Sequence, residues 1–223
     1  MEAILINTSG GLTGGDVIEW FVAASDSTRL TVTTQANEKV YKASADTASL
    51  STRITVGHQA AVHWMPQETI LFDQSALSRR LDVDLQETSE FLAVEAVLMG
   101  RQAMGETLKR GLFRDRWRVR RGGRLIHAED LRLDGEIDLL SGLPATLGGQ
   151  SAFATLLYIG PMAEALLPRV RESLGSAVGG ASHWQGKLVV RLVASSGYEL
   201  RKLLVPAIAV LRNGAAVPKV WNI

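Results

Sequence analysis

The chain has 223 residues, with 24 Lys or Arg against 23 Asp or Glu, for a formal net charge of +1. At 46% hydrophobic and 21% charged it can bury a core, which excludes a disordered chain, and its charge balance argues against a protein that is basic overall. Cysteine is absent, which excludes disulfides, thiolate chemistry, iron–sulfur ligation and Cys-based zinc sites.

Met1-Glu2-Ala3 leads straight into Ile4-Leu5-Ile6, without a basic leader. Asn7 to Asp16 is glycine-rich and opens a strand, Val17 to Ala23. Strict alternation then predicts half-buried strands at 29–34, at 50–56 and at 81–85, where Asp82 and Asp84 form a wet face. Residues 91–108 fit strand or helix. Segment 114–134 reads as a hairpin turning on Gly122-Gly123. Its simple register sets Arg121 opposite Arg124, Val119 opposite Ile126 and Trp117 opposite Ala128. Arg118 then faces His127 and Arg116 faces Glu129, giving one apolar and one mainly basic face.

Two helices follow. The first starts near Pro161, carries Met162, Leu166, Val170 and Leu174 on one stripe and stops at Gly175; the second starts at Ser196 and carries Leu200, Leu204, Ile208 and Leu211. Between them, 187–194 alternates as a strand. Pro168 and Pro206 are expected to kink or divide the helices. The longest apolar run, Leu203 to Leu211, is broken by Pro206 and falls far short of the roughly 20 residues of a bilayer span. A cytoplasmic protein with no membrane contact is expected. No 20–50-residue repeat and no linker is visible, so the expectation is a single β-dominated domain over 1–223, not a parallel βαβ sheet.

Catalytic chemistry finds little support. A phosphate-binding loop ends in Gly-Lys-Ser/Thr and opens a helix, whereas this one ends in Gly15-Asp16 and opens a strand. Its glycines are expected to allow tight turning or close backbone approach, with Asp16 capping loop N–H groups. The histidines (His58, His63, His127 and His183) lack metal-ligand spacing. A hydrolase built from distant residues would need a pocket uniting a histidine, a carboxylate and a nucleophile. The pairs Glu68/Asp73 and Glu90/Glu95 read as solvated strand ends. Lys109 to Arg124 carries eight basic residues, with Phe113 and Trp117 among them. That cluster suits an acidic protein surface or, as the alternative function, a nucleic-acid backbone. No catalytic residue is assigned.

Five ordered segments carry a resemblance. Asn7-Thr8-Ser9-Gly10-Gly11-Leu12-Thr13-Gly14-Gly15-Asp16 closely resembles the signature of the urease accessory protein family UreD, also called UreH. Thr33-Thr34-Gln35-Ala36 with Lys39-Val40-Tyr41, Met65-Pro66-Gln67-Glu68-Thr69-Ile70-Leu71-Phe72, and Gly100-Arg101 with Gly105-Glu106 are similar to further family blocks. Pro218-Lys219-Val220-Trp221 resembles the closing Pro-Arg-x-Trp, with Lys219 in place of arginine.

This resemblance implies a mainly β fold in which strands wind as a helical coil, with two α-helices in the C-terminal part. It implies a non-enzymatic scaffold that binds urease apoprotein and UreF, reaches the GTPase UreG through UreF, and assists nickel insertion and lysine carbamylation in urease. No tightly bound cofactor is implied; Ni2+ would pass transiently along an internal wet passage. Asp16 and Glu95 are the candidate acids on that route. The signature loop contributes Gly10, Gly11, Gly14, Gly15 and Asp16. Further partner or passage candidates are Gln35, Tyr41, Pro66, Glu68, Phe72, Glu95, Gly100, Arg101 and Trp221. Scattered carboxylates suit a cation that must be released, because dedicated strong ligands would retain it. Family members usually carry a stretch ahead of the signature; either a late start was chosen for this chain or the first strands are missing, and if they are missing a sheet edge is expected to be left unpaired.

Overall fold

Strands that are apolar on one side need a cover for that side, and the first half of this chain provides it by winding. The computed structural model describes residues 1–222. One sheet contains β2 (Val17–Ala24), β5 (Ala48–Val56), β8 (Ala76–Leu85) and β10 (Arg110–Arg121), all parallel, closed by the antiparallel β11 (Arg124–Glu136). The other contains β1 (Glu2–Leu5), β3 (Arg29–Thr34), β6 (Ala61–Trp64) and β9 (Glu90–Met99), also parallel. Short strands β4 (Glu38–Val40) and β7 (Thr69–Leu71) join it beside β9. Successive passes alternate between the sheets, so the parallel pairing comes from a coil of strands and needs no crossover helix.

The coil has a spatial period that the sequence hides. Asn7 donates to Glu38, Asn37 to Glu68 and Trp64 to Glu95, and each bond spans 31 positions. Asn7 and Asn37 recur as donors, and Glu38 and Glu68 as acceptors, on successive passes, a recurrence too sparse to read as a sequence repeat.

Beyond the coil, the second sheet continues antiparallel through β12 (Ala152–Ile159), β14 (Lys187–Ala194) and β13 (Gly179–Trp184). Helices α2 (Ala163–Leu174) and α3 (Gly197–Leu211) cover its outer face, packing Leu166, Val170, Leu204 and Ile208 with Leu92, Val94, Leu156 and Val190. Its inner face meets the first sheet through Ile54, Val83, Phe91 and Trp117. Because β9 is buried on both faces, Phe91 to Val97 is a continuous apolar run broken only at Glu95, which explains its ambiguity by periodicity.

Several expectations change. The Gly122-Gly123 turn forms with both φ values positive, 52° and 78°. However, β11 bulges after Leu125, so Val119 pairs with His127, Arg118 with Ala128 and Trp117 with Glu129. The bulge switches the strand's phase and thereby turns Leu131 and Leu133 inward, where an unbroken register would have exposed them. Lys187 donates to the freed Ile126 carbonyl. Met162 lies ahead of α2 and is exposed, leaving Ala163 to begin the buried stripe. Pro168 and Pro206 divide neither helix; both occupy exposed positions, where water can take the freed carbonyl. Ser196 caps α3 by accepting the Glu199 N–H at 3.2 Å. A short helix, α1 (Ile137–Gly142), is an addition. No helix among the described residues is long and apolar enough to cross a membrane.

Candidate functional site

Tyr41, Phe72 and Arg101 come from successive passes and stack at one corner of the coil against the signature loop. Gly11 has φ of 152°, and a Cβ there would lie 2.5 Å from the Tyr41 ring and 2.6 Å from the Lys39 carbonyl. Only glycine allows that approach. The Tyr41 hydroxyl donates to the Gly10 carbonyl at 3.2 Å, and its ring meets Phe72 edge-on at 4.9 Å. The Arg101 guanidinium lies 4.4 Å from the Phe72 ring centre and pairs with Glu106 at 2.6 Å. That hydrogen bond lowers the Glu106 carboxyl below the ordinary range. A Cβ on Gly100 would sit 2.4 Å from the Glu106 carbonyl. At the base of the loop, a Cβ on Gly14 would fall 1.9 Å from the Ala45 carbonyl, while Asp16 accepts the Thr13 N–H at 2.8 Å. Gly15 takes φ of 86°. Gln35 lines a 270 Å³ cavity with Asn7, Gly10, Gly11 and Glu38. Burial raises the Glu38 carboxyl.

Glu68 and Trp221 join in a second group, a clasp between coil and C-terminus, with buried Pro66 lying in the chain between its members Met65 and Gln67. The Trp221 indole donates to the Met65 carbonyl at 3.2 Å. Arg201 of α3 donates to both Glu68 oxygens, at 2.6 and 2.8 Å, and to the Trp221 carbonyl at 3.1 Å. Glu68 also accepts from Asn37 at 2.7 Å, and Gln67 donates to the Val220 carbonyl at 3.0 Å. Glu68 is 1% exposed, so burial of its charge is matched by a bidentate guanidinium.

Glu95 belongs to a third group, inside the coil. Arg79 on β8 stands opposite Asp115 on β10 and grips it through two bonds, of 3.1 and 2.6 Å. The same guanidinium reaches Glu95, whose other oxygen accepts the Trp64 indole at 2.9 Å. Trp117 donates to Asp115 at 3.1 Å, and Arg79 donates to the Thr69 hydroxyl at 3.2 Å. Burial raises the Glu95 carboxyl against the pull of Arg79. Burial alone would lower Arg79, but Asp115 and Glu95 outweigh it and raise that group.

Glu68 and Glu95 are therefore buried, guanidinium-bound groups, not solvated strand ends. The wet face expected at Asp82 and Asp84 does form. Asp16 is exposed on the loop, so the structure does not bring it together with buried Glu95. Arg79, Asp115 and Arg201 escaped the sequence reading. The signal for the first two was available, since each charge sits in phase with inward residues: Leu77 and Leu81 on β8, Phe113 and Trp117 on β10.

Two histidines meet carboxylates, His63 with Glu90 and His127 with Glu129, each at 3.6 Å. Glu129 also pairs with Arg191 at 2.9 Å. Among the described residues no three potential ligands converge on a metal position. Ser89, Glu164 and His183 share the wall of a 550 Å³ depression, but the Ser89 hydroxyl donates to the Gln86 carbonyl at 2.7 Å.

Fold and site together define a two-sheet coiled-β scaffold with a stacked glycine–aromatic corner and a clasped C-terminus. The family model described as UreD urease accessory protein matches residues 1–222. The chain is 66% identical to the urease accessory protein UreD of Rhizobium leguminosarum bv. viciae, with 100% of this chain and 82% of that protein covered. It is 65% identical to UreD of Agrobacterium fabrum strain C58, covering 78% of it, and 50% identical to UreD of Mesorhizobium japonicum, covering 81%. The chain belongs to the UreD family of urease accessory proteins and supports urease maturation.

Proposed function

We propose that the chain is a non-enzymatic, cytoplasmic scaffold that binds urease apoprotein and UreF, engages UreG through UreF, and assists nickel insertion. One observation carries this reading: the residues of the family blocks are spent on a corner and a clasp, not on a group of reacting side chains. Gly10, Gly15 and Asp16 of the signature loop are exposed together with Gln35, Tyr41 and Arg101 and suit partner contact, while Gly11 is buried against Tyr41. Pro66, Glu68, Phe72, Gly100 and Trp221 act from behind as positioning residues.

Nickel is the cargo in this reading, with no resident cofactor. Asp16 and Glu95 are the acids proposed to meet it in transit. A cation reaching Glu95 has to compete with the Arg79 guanidinium, which favours weak occupancy and onward release. Calorimetry with Ni2+ is expected to show weak binding, and a stoichiometric nanomolar site would contradict the transfer.

The deciding experiment expresses urease with nickel, with and without this chain, and measures ureolysis and co-purification with apoprotein and UreF. Full activation without the chain would overturn the proposal. Gly14→Val, which drives a side chain into the Ala45 carbonyl, is expected to lose activation through misfolding or lost docking. Normal activation by that variant would contradict the role given to the loop.

A further inference from the structure

The outer face of the first sheet carries charge that its own residues do not compensate. Parallel pairing sets Arg116 on β10 directly beside Arg80 on β8, and the hairpin sets Arg114 beside Arg132 on β11. Like charges placed opposite each other on one sheet face destabilise it. Neighbouring carboxylates relieve only part of this. Asp130 pairs with Arg118 at 2.6 Å, Asp82 lies 3.9 Å from Arg116, and Arg132 turns to Asp134. Arg80 and Arg114 are exposed and make no close ion pair among the described residues, although Arg114 joins Arg132, the main cause, in lowering the Asp134 carboxyl.

We propose that this arginine block is a docking face for a carboxylate-bearing surface on a protein partner. The inference rests on the maturation role above and adds the surface that role would use. Several features favour a protein over a nucleic acid. Asp82 and Asp130 are interleaved with the arginines and would repel a phosphate backbone, yet could pair with basic residues of a protein. Trp117 points into the core, so β10 offers no indole for base stacking. The rigid, regular face places its charges at fixed strand spacings, which suits a mosaic of complementary charges on a folded partner.

The test compares the native chain with Arg80→Gln/Arg114→Gln and Arg80→Glu/Arg114→Glu double variants. Each is mixed separately with purified urease apoprotein, UreF and bulk tRNA, at about 50 mM and about 300 mM salt, to expose screening. The Glu variant is expected to bind one of the two proteins about tenfold more weakly at low salt, with a smaller loss for the Gln variant. The melting temperature of the Gln variant should hold or rise, since like-charge neighbours are removed. If the Glu variant unfolds, the Gln variant decides. Unchanged binding of both proteins by a folded variant overturns the docking face. So does native retention of tRNA that the variants lose while their protein binding stays intact. A native chain that binds neither protein removes the maturation reading itself, and this inference with it.

Discussion

Arg79 and Arg201 are both gripped by carboxylates, but they join different things. Arg79 links neighbouring passes of the coil, with Asp115 directly across from it and Glu95 on the facing sheet. Arg201 reaches from α3 to Glu68, 133 positions away, and ties the helical section to the coil. The first group lies wholly inside, two carboxylates to one guanidinium. The second is half-buried on the arginine side, with Arg201 22% exposed against 1% for Glu68. An ion pair between the sheets helps fix how their passes stack, whereas one between distant segments fixes how two parts of the molecule sit together.

The sharpest way to break this comparison is Arg79→Met, which leaves Asp115 and Glu95 buried without a cation. A loss of about 3–5 kcal/mol is expected in denaturant unfolding. An unchanged midpoint would show that the interior group contributes little. Glu68→Ala should cost less, about 2 kcal/mol, because Arg201 can reach water. Its specific mark is early proteolysis of the C-terminal section while the coil persists; uniform unfolding would erase the distinction drawn here.

A pH series separates the interior group from the exposed corner. The Glu95 carboxyl is raised by burial, so its unfavourable contribution is absent below the ordinary carboxylate range and grows as pH rises through the raised value. Glu95→Gln should remove that declining limb; an identical pH–stability curve would contradict a buried, charged Glu95. Glu106 has the opposite sign. Its lowered carboxyl contributes stability above the ordinary range, and this is lost as pH falls through the depressed value. Arg101→Ala should give the smallest effect, with no resolved change in melting temperature but weaker partner binding if the corner docks. Equal binding would reduce Arg101 to a solvated residue.

Strand alternation revealed most of the first sheet, because one side of each strand faces water and keeps the period visible. It failed at β9, where both faces are buried, and at β11, where a bulge changes phase. Leu131 and Leu133 already required that switch, since the simple register would have left both in solvent. The capped α3 was legible through Ser196 and Glu199. The clasp was not, because nothing near Glu68 announces an arginine 133 positions later. The interior group was half legible: Arg79 and Asp115 are misplaced by alternation, and only strand pairing shows that the two anomalies cancel.

The 31-position stride of the coil also orders its assembly in time. A hairpin can close as soon as its turn is made, but β2 has no neighbour until β5 exists, and β5 none on its far side until β8 does. Contacts this distant along the chain fold slowly. On a polypeptide leaving the ribosome, the pairing of each lap has to wait until the stretch that supplies its neighbour has emerged.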